Sequence, residues 1–565
     1  MRPRAPQVVV GAVVMVGTAL ALAACESTPR VKPWRHAPDP AAEAAAAPRS
    51  PAITEAPSEA DVHAARGHTL RIALPADPGR LTAIVGPSVW ARRITLGTIF
   101  EPLIAYAPPD GTGPGHYAPR LAHSWRVMPG GMEIRIELVA DATFHDGHPL
   151  TTSDVQFTLD AVRDPKRGID HLRGLLDDVE AIELVTAKEI RLRLKRPSGW
   201  VLRALAEIPI LPMHVYDGSL LGGGAVIGSG PWKLASNKGG VIHLARNDKY
   251  WGAAPAINDI EFVYQQDAAV ALTAAKRGEL DIVPQLIPAH WPEQASSPGV
   301  TSLFQPLQLA PPRLRYFAFN IVRDSPLADA RVRHALALLV DRRAIAKRVF
   351  AGLARPAQWP IWPGGPVDSA EAAIPDFDPA GAAKLLEAAG WFDHDKDGIR
   401  DKDGAQLHLV LVTTEKPAAR DLGGPVAKSE RELWIDAARR TGVVIEQKQV
   451  TEPQLERRLA DGSYDIAELS WGGMVDSDVS ALVAGPQRPA TPRVERALDA
   501  LAAAWDPAER AKVAGELGAA LADTWTIAGI VAEAPQGLVH RRIRGARAWD
   551  GWLDLTQLSF DAAVP

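Results

Sequence analysis

Residues 121–158 read LAHSWRVMPGGMEIRIELVADATFHDGHPLTTSDVQFT and contain the pattern that decides the fold. Residues 133–138 (EIRIEL) are apolar at every second position, which predicts a half-buried strand. Asp146-Gly147 then predicts a turn, and Thr151 or Thr152 can cap a following helix. The segment therefore predicts a strand, a turn and a helix in that order.

The same two patterns recur from Thr69 onward. Residues 190–194 (IRLRL) and 407–412 (LHLVLV) are also apolar at every second position, as half-buried strands are. Helix starts are indicated by aspartates that can cap a first turn: Asp329, Asp341, Asp378 and Asp506. Strands and helices that mix without strict alternation predict an α/β protein with mixed sheets.

The composition excludes several classes of protein. The 565 residues carry 62 Lys and Arg against 67 Asp and Glu, a net charge of −5. That balance excludes a polybasic nucleic-acid arm and a wholly disordered chain, so we predict no nucleic-acid partner. The single cysteine, Cys25, excludes an intrachain disulfide, a zinc knuckle and an iron–sulfur site. The 16 tryptophans are nearly half of the aromatic residues, and their flat rings suit a cleft that accepts varied side chains.

The first 24 residues have the features of a secretory signal. Two arginines precede the uncharged run 8–24 (VVVGAVVMVGTALALAA), which as a helix would be about 25 Å long, short for the roughly 30 Å core of a bilayer. The run ends in Leu22-Ala23-Ala24-Cys25, which resembles the bacterial lipobox and implies cleavage before a lipid-bearing Cys25. The alternative is an ordinary signal or membrane segment in which Cys25 occurs by chance. Residues 25–66 are rich in Pro and Ala, so we predict a spacer there.

The chain lacks the catalytic and nucleotide-binding motifs GxGxxG, GxxxxGKS/T, HExxH and GxSxG. His145, Asp146 and His148 could ligate a metal, but the two histidines lack a third well-placed ligand, so we interpret the segment as a turn. Residues 393–404 begin like a calcium loop, yet Gly404 stands where a bidentate Glu is needed. We interpret this segment as a polar turn too, and predict no metal site, cofactor or catalytic residue.

Five separated parts of the chain carry a further pattern. They are residues 121–158 with FHDG at 144–147; GSGPW (228–232) with RNDKYW (246–251); GELDI (278–282); FN (319–320) with RVRHAL (331–336); and AGW (389–391). Together and in this order, they resemble extracellular solute-binding proteins family 5, the oligopeptide- and dipeptide-binding components of bacterial ABC importers. The resemblance spans roughly residues 69–555.

This resemblance implies a two-lobed periplasmic-binding-protein-like fold (type II, cluster C), α/β with mixed sheets, a hinge and an extra subdomain. The first lobe would comprise residues 67–110, 208–310 and 525–565, with 111–207 as its subdomain. The second lobe would comprise residues 311–524. A ligand enclosed between the lobes would contact both only in the closed form, so that closure could signal to a permease without covalent chemistry.

The resemblance also implies where the ligand binds. In peptide-binding members, an extended peptide lies beside a Trp, and an Asp three residues later pairs with the peptide ammonium. Here that position holds Met474, and Asp476 or Asp478 could supply the carboxylate if the loop is shifted; alternatively, these two acids only solvate or cap a loop. The expected ligand-binding residues are Trp471, Gly472, Gly473, Met474, Asp476, Asp478, Phe319 and Asn320.

These features predict a monomeric substrate-binding lipoprotein of an ABC importer, held on the outer side of the cytoplasmic membrane or in the periplasm by Cys25. Its partners would be a permease and its ATPase subunits. Peptides are the leading ligand, with nickel chelates, haem and oligosaccharides as alternatives. Two other classes stay open: a secreted metal-dependent hydrolase that uses His145 and His148, and a non-transport sensor or scaffold with the same fold.

Overall fold

The structure is a computed structural model of the chain. It describes residues 69–86, 88–107, 116–221, 224–286, 290–309, 313–321, 325–359, 374–414, 430–471, 491–533, 536–549 and 552–561. The predicted signal and spacer with Cys25, and the loop with Gly472, Gly473, Met474, Asp476 and Asp478, lie outside the described residues. Within those described, no helix is both long and apolar enough to cross a membrane.

The largest sheet has seven strands. In spatial order these are Phe304–Gln308, Gln536–His540, Ile282–Leu286, Thr69–Leu74, Asp259–Tyr264, Val241–Arg246 and Trp232–Lys238. Thr69–Leu74 is parallel to both of its neighbours, and the other pairs are antiparallel. The helices in this part of the chain are Val89–Thr95, Met213–Tyr216, Ala268–Lys276, Trp291–Ala295 and Pro298–Thr301.

A four-stranded antiparallel sheet lies within the predicted subdomain. Its strands, in spatial order, are Ala122–Val127, Glu133–Leu138, Glu189–Leu194 and Val179–Leu184. Buried and more exposed residues alternate along Glu133–Leu138, which confirms the strand predicted from EIRIEL. Its helices and 3₁₀ turns are Thr152–Arg163, Pro165–Arg167, Asp170–Arg173, Gly174–Leu176 and Trp200–Glu207. One hydrophobic cluster joins this sheet to the seven-stranded sheet.

A six-stranded mixed sheet forms the centre of the second half of the chain. Its strands, in spatial order, are Ala354–Pro356, Ile527–Glu533, Arg313–Phe319, Ile466–Trp471, His408–Thr414 and Val444–Val450. Separate hydrophobic clusters cover its two faces. The helices and the 3₁₀ turn are Pro326–Ala328, Ala330–Leu338, Arg342–Arg348, Pro379–Ala388, Glu430–Arg440, Glu452–Asp461, Pro492–Ala503 and Pro507–Leu521.

Short elements complete the fold. Four two-stranded sheets pair Ile104–Ala107 with His116–Pro119, Asp401–Lys402 with Ala405–Gln406, Ile543–Arg544 with Ser559–Phe560, and Ala548–Trp549 with Trp552–Leu553. A 3₁₀ turn spans Leu555–Gln557. Each of the four predicted capping aspartates accepts a backbone hydrogen bond at the start of its helix, which confirms those helix starts.

We define lobe I as the described residues of 69–309 and 536–561, and lobe II as those of 313–533. This division differs from the sequence-based one at one strand. Ile527–Glu533 was assigned to the first lobe, but it pairs with Arg313–Phe319 and Ala354–Pro356 in the lobe II sheet. Its sequence, IAGIVAE, is apolar almost throughout, so it predicts burial without indicating which sheet the strand joins. The other boundaries stay predictions.

Candidate functional site

The two lobes meet where the ends of their central sheets lie close together. Gln308 pairs with Gln536 at the end of the lobe I sheet, and Arg313 pairs with Glu533 at the end of the lobe II sheet. Three peptide steps separate Glu533 from Gln536, and a chain of that length reaches at most about 11 Å. The two sheet ends are therefore held next to each other. We call them the interlobe edge.

The interlobe edge collects the carboxyl ends of the parallel strands of both lobes. In lobe I these ends are Leu74, Tyr264 and Leu286, and in lobe II they are Thr414, Val450 and Trp471. Ligands of open α/β sheets bind in the crevice outside such strand ends. The geometry therefore makes the interlobe edge the candidate ligand site.

Trp471 is the predicted ligand residue that lies at this edge. It ends the strand Ile466–Trp471, pairs with Leu314 and is 6% exposed. Its ring belongs to the hydrophobic cluster between the sheet and the two C-terminal helices of lobe II. The other ligand residues predicted for this segment, from Gly472 to Asp478, follow it directly in sequence.

Phe319 and Asn320 lie at the opposite end of the same strand pair. Phe319 pairs with Ile466, five residues before Trp471, which corresponds to about 17 Å along a strand. Both side chains are fully buried, and the Asn320 amide donates hydrogen bonds of 2.8 Å to the carbonyl oxygens of Gly462 and Tyr464. The structure does not bring these two residues together with Trp471, because the strand register fixes them at the far edge.

A cluster of buried charges stands beside Trp471. Arg315 contacts Glu430, and its guanidinium nitrogens lie 3.5 Å from Glu468 Oε1 and 3.6 Å from Glu533 Oε1. Arg431 binds Glu468 Oε2 at 2.7 Å. All five belong to elements that begin or end near the interlobe edge. Sequence reasoning missed this cluster, which consists of residues up to 218 positions apart.

Lobe I contributes a cation held by two tryptophans. The Arg93 guanidinium lies 4.6 Å from the ring centroid of Trp90 and 5.0 Å from that of Trp552. Burial, with Arg313 nearby, lowers the pKa of Arg93 to about 10. Because Arg313 belongs to lobe II, the two arginines place positive charge on both sides of the interlobe edge. The tryptophan content had indicated an aromatic cleft but not this arginine.

The subdomain makes a second contact with lobe II. The Gly199 N–H donates to the carbonyl of Ala502, and the Arg510 guanidinium lies 4.8 Å from the ring centroid of Trp200. The Trp200 side chain belongs to the hydrophobic cluster of lobe II. The lobes therefore touch at the interlobe edge and again through the subdomain.

The histidine-rich segment forms the predicted turn, with Gly147 at a positive φ of 91°. His145 packs inward: its Nε2 lies 3.0 Å from the carbonyl oxygen of Gly230, and its Nδ1 accepts from the Gly228 N–H. Burial lowers the pKa of His145 to about 4. His145 is therefore used for packing and is not available beside His148 as a metal ligand.

The acidic segment forms a polar turn, as predicted. Asp393, Asp395 and Asp397 are exposed and accept backbone N–H groups of the same turn. Asp401 accepts from His394 at 2.8 Å. These contacts explain the acidic residues as turn-forming groups.

Two of the matched motifs converge on a buried carboxyl group that sequence reasoning missed. Glu101 is 2% exposed and accepts from Tyr250 at 2.7 Å, Trp251 at 3.1 Å and Ser229 at 3.0 Å. The available signal was a charged residue inside the apolar run 99–104. Glu101 therefore links the GSGPW and RNDKYW segments to each other within lobe I.

Comparison with known proteins gives consistent results. Residues 116–485 match the family described as bacterial extracellular solute-binding proteins, family 5 Middle. The chain is 26% identical to the nickel-binding periplasmic protein of Escherichia coli over 430 residues, 74% of this chain and 78% of that protein. It is 27% identical to the oligopeptide-binding protein AppA of Bacillus subtilis over 329 residues, 56% of this chain and 59% of that protein.

Solved structures of other proteins share the fold of this chain. NikA from Brucella suis in complex with Fe(III)-EDTA superposes with a TM-score of 0.73 at 22% identity, covering 87% of this chain and 100% of that one. This likeness confirms the predicted two-lobed α/β fold. The family comprises binding proteins rather than enzymes, which does not favour the hydrolase alternative. Because the family match covers well over half of the sequence, this chain belongs to the bacterial extracellular solute-binding proteins of family 5.

Proposed function

We propose that this protein captures a peptide or a related small solute at the interlobe edge and delivers it to the permease of an ABC importer driven by ATPase subunits. The observation that carries the proposal is the convergence of Trp471, the parallel strand ends and the Arg93–Arg313 pair at the junction of two lobes. A ligand that bridges both lobes makes more contacts in the closed form than in the open form and so stabilises the closed form. The permease then recognises that closed form. The relatives named for oligopeptide and nickel binding support the substrate class.

Within that site, we propose that Trp471 lines the ligand and that Gly472 and Gly473 let its backbone approach closely. Met474 offers no charge, so Asp476 or Asp478 pairs with the ligand ammonium. We leave Phe319 and Asn320 out of the proposed site because they lie at the far end of the strands.

Native mass spectrometry of the protein lacking its first 25 residues is expected to show a bound peptide or small solute after purification.

For a peptide ligand, Asp476→Ala or Asp478→Ala should weaken binding at least about 10-fold, since a buried ammonium loses its carboxylate. Titration calorimetry measures the change. Asp523→Ala is the matched control, because Asp523 is exposed and precedes the strand Ile527–Glu533 at the edge remote from the ligand site.

Two results would count against these assignments. Unchanged affinity in both variants and in the double variant excludes the two aspartates as ammonium partners while leaving the binding function intact. Failure of the wild-type protein to retain or bind any peptide, metal chelate, haem or oligosaccharide contradicts the binding function itself.

We propose further that the protein is a monomer anchored to the membrane by lipid on Cys25, on the outer side of the cytoplasmic membrane or in the periplasm. The lipobox-like sequence and the Pro- and Ala-rich spacer after it support this. Cys25→Ser should move most of the protein from the membrane fraction to the soluble fraction, measured by immunoblotting of fractionated cells. Ser27→Ala is the control and should stay with the membrane. A Cys25→Ser protein as firmly membrane-bound as wild type rules out the anchor.

A further inference from the structure

We propose that Asp146, His148 and His214 form a binding site for a divalent transition-metal cation, best matched by Zn²⁺, on the surface of lobe I. One donor atom from each side chain lies within 4.8 Å of the other two. His214 Nε2 is 2.7 Å from Asp146 Oδ2, and His148 Nδ1 is 3.2 Å from Asp146 Oδ1. The sequence alone did not indicate a third ligand, because His214 lies 68 residues after Asp146 and only folding brings the two together.

The two parts of the site are held by separate structural contacts. On one side, the turn places Asp146 and His148 together through Gly147, and the His148 N–H donates to Asp146 Oδ1 at 3.2 Å. On the other side, His214 stands on the helix Met213–Tyr216, whose first N–H donates to Asp154 Oδ1 at 2.9 Å. These contacts position the backbone of both parts so that the three side chains lie together.

The donor set selects the kind of cation. Two imidazoles and one carboxylate are ligands of Zn²⁺ and neighbouring transition metals, whereas Ca²⁺ and Mg²⁺ prefer oxygen. Ligands at about 2.1 Å from a tetrahedral zinc are about 3.4 Å from one another. The His148–Asp146 distance of 3.2 Å is close to this value, and the His214–Asp146 distance of 2.7 Å would have to lengthen by about 0.7 Å. The fourth position would hold water.

The arrangement of the two imidazole rings supports a shared cation. The His148 and His214 rings lie 3.9 Å apart between centroids and are tilted by 32°. Both rings also contact the Asp146 carboxylate, so a divalent cation can bind a nitrogen of each ring and an oxygen of that carboxylate together. It would link the turn to the helix Met213–Tyr216 in lobe I, independently of ligand binding at the interlobe edge.

The test is zinc titration of the purified, untagged full chain after chelator treatment. We expect one Zn²⁺ per chain with a micromolar Kd by calorimetry, and a higher Tm when Zn²⁺ is present. His148→Ala and His214→Ala should each weaken binding at least about 10-fold and abolish the Tm increase. His243→Ala is the matched control, because His243 also contacts a carboxylate, Asp259 at 2.7 Å, and no group of metal-ligating residues among the described ones includes it.

Three outcomes overturn the proposal: no Zn²⁺ binding at micromolar concentration, equal binding by wild type and the two histidine variants, or an equal loss in His243→Ala. His148→Gln guards against misfolding, because the His148 side chain is 60% exposed. Asp395→Asn tests the acidic turn as the source of any signal, and loss of binding in that variant alone also refutes the site.

Discussion

Arg315→Met should destabilise the protein by about 3 to 5 kcal/mol, because it removes the central cation from a buried cluster of charges. The Arg315 side chain is 9% exposed and contacts Glu430, Glu468 and Glu533. Without it, these carboxylates lose their common cation, while Arg431 still binds Glu468 at 2.7 Å. The penalty arises from burying negative charge that has lost this partner, a larger effect than the lost attraction itself. Urea unfolding at neutral pH measures it.

The chain contains a matched control for this substitution. Arg71→Met removes an arginine that contacts Glu261 at 3.0 Å, also on a sheet strand, but the Arg71 side chain is 43% exposed. Water can solvate the remaining carboxylate there, so the loss should be about 1 kcal/mol or less. Equal losses in the two variants would show that Arg315 contributes no more than a surface ion pair does.

Arg315 also illustrates why part of the candidate site could not be predicted. The strand and helix positions depend on local periodicity and capping, and predictions such as the strand at 133–138 and the helix after Asp506 are confirmed. Arg315 and Glu430 are 115 residues apart, and the packing of the helix Glu430–Arg440 against the lobe II sheet brings them together. No periodic pattern in either segment indicates that contact.

The same dependence on tertiary structure explains why only some of the residues named for the site lie together. Trp471 was named from the resemblance to peptide-binding members, and it ends a strand at the interlobe edge. Phe319 and Asn320 were named from a separate matched segment, FN (319–320). A motif match does not give strand register, and the antiparallel pairing places these residues at the far edge. His214 was missed for the converse reason, since its contact with Asp146 depends on tertiary folding.

Glu101 offers the second large effect, and this one depends on pH. Burial raises the pKa of Glu101 from 4.5 to about 7, even though Tyr250, Trp251 and Ser229 donate hydrogen bonds to it. The folded protein therefore binds a proton at this site more tightly than the unfolded chain does. The resulting stability is fully present below pH 4.5 and is lost as the pH rises through about 7.

Comparison of wild type with Glu101→Gln isolates this contribution, because glutamine has a similar shape and does not titrate. The free energy of unfolding of wild type, minus that of the variant, should fall by about 2 to 3 kcal/mol between pH 5 and pH 8. Urea unfolding across this range measures the difference, in which contributions from other titrating groups cancel. A difference that is constant with pH, or that grows as the pH rises, would contradict a raised pKa.

Glu101→Leu tests the hydrogen bonds apart from the charge. It leaves the Tyr250 and Ser229 hydroxyls and the Trp251 indole N–H without their acceptor, and each buried unsatisfied donor costs about 1 kcal/mol or more. A loss of at least about 3 kcal/mol is therefore expected at pH 5, where the carboxyl group is neutral and no charge is removed. At pH 8 the loss should be smaller, because the substitution also removes the cost of burying a carboxylate. A larger loss at pH 8 would mean that the three donors stabilise the ionised form enough to outweigh its burial.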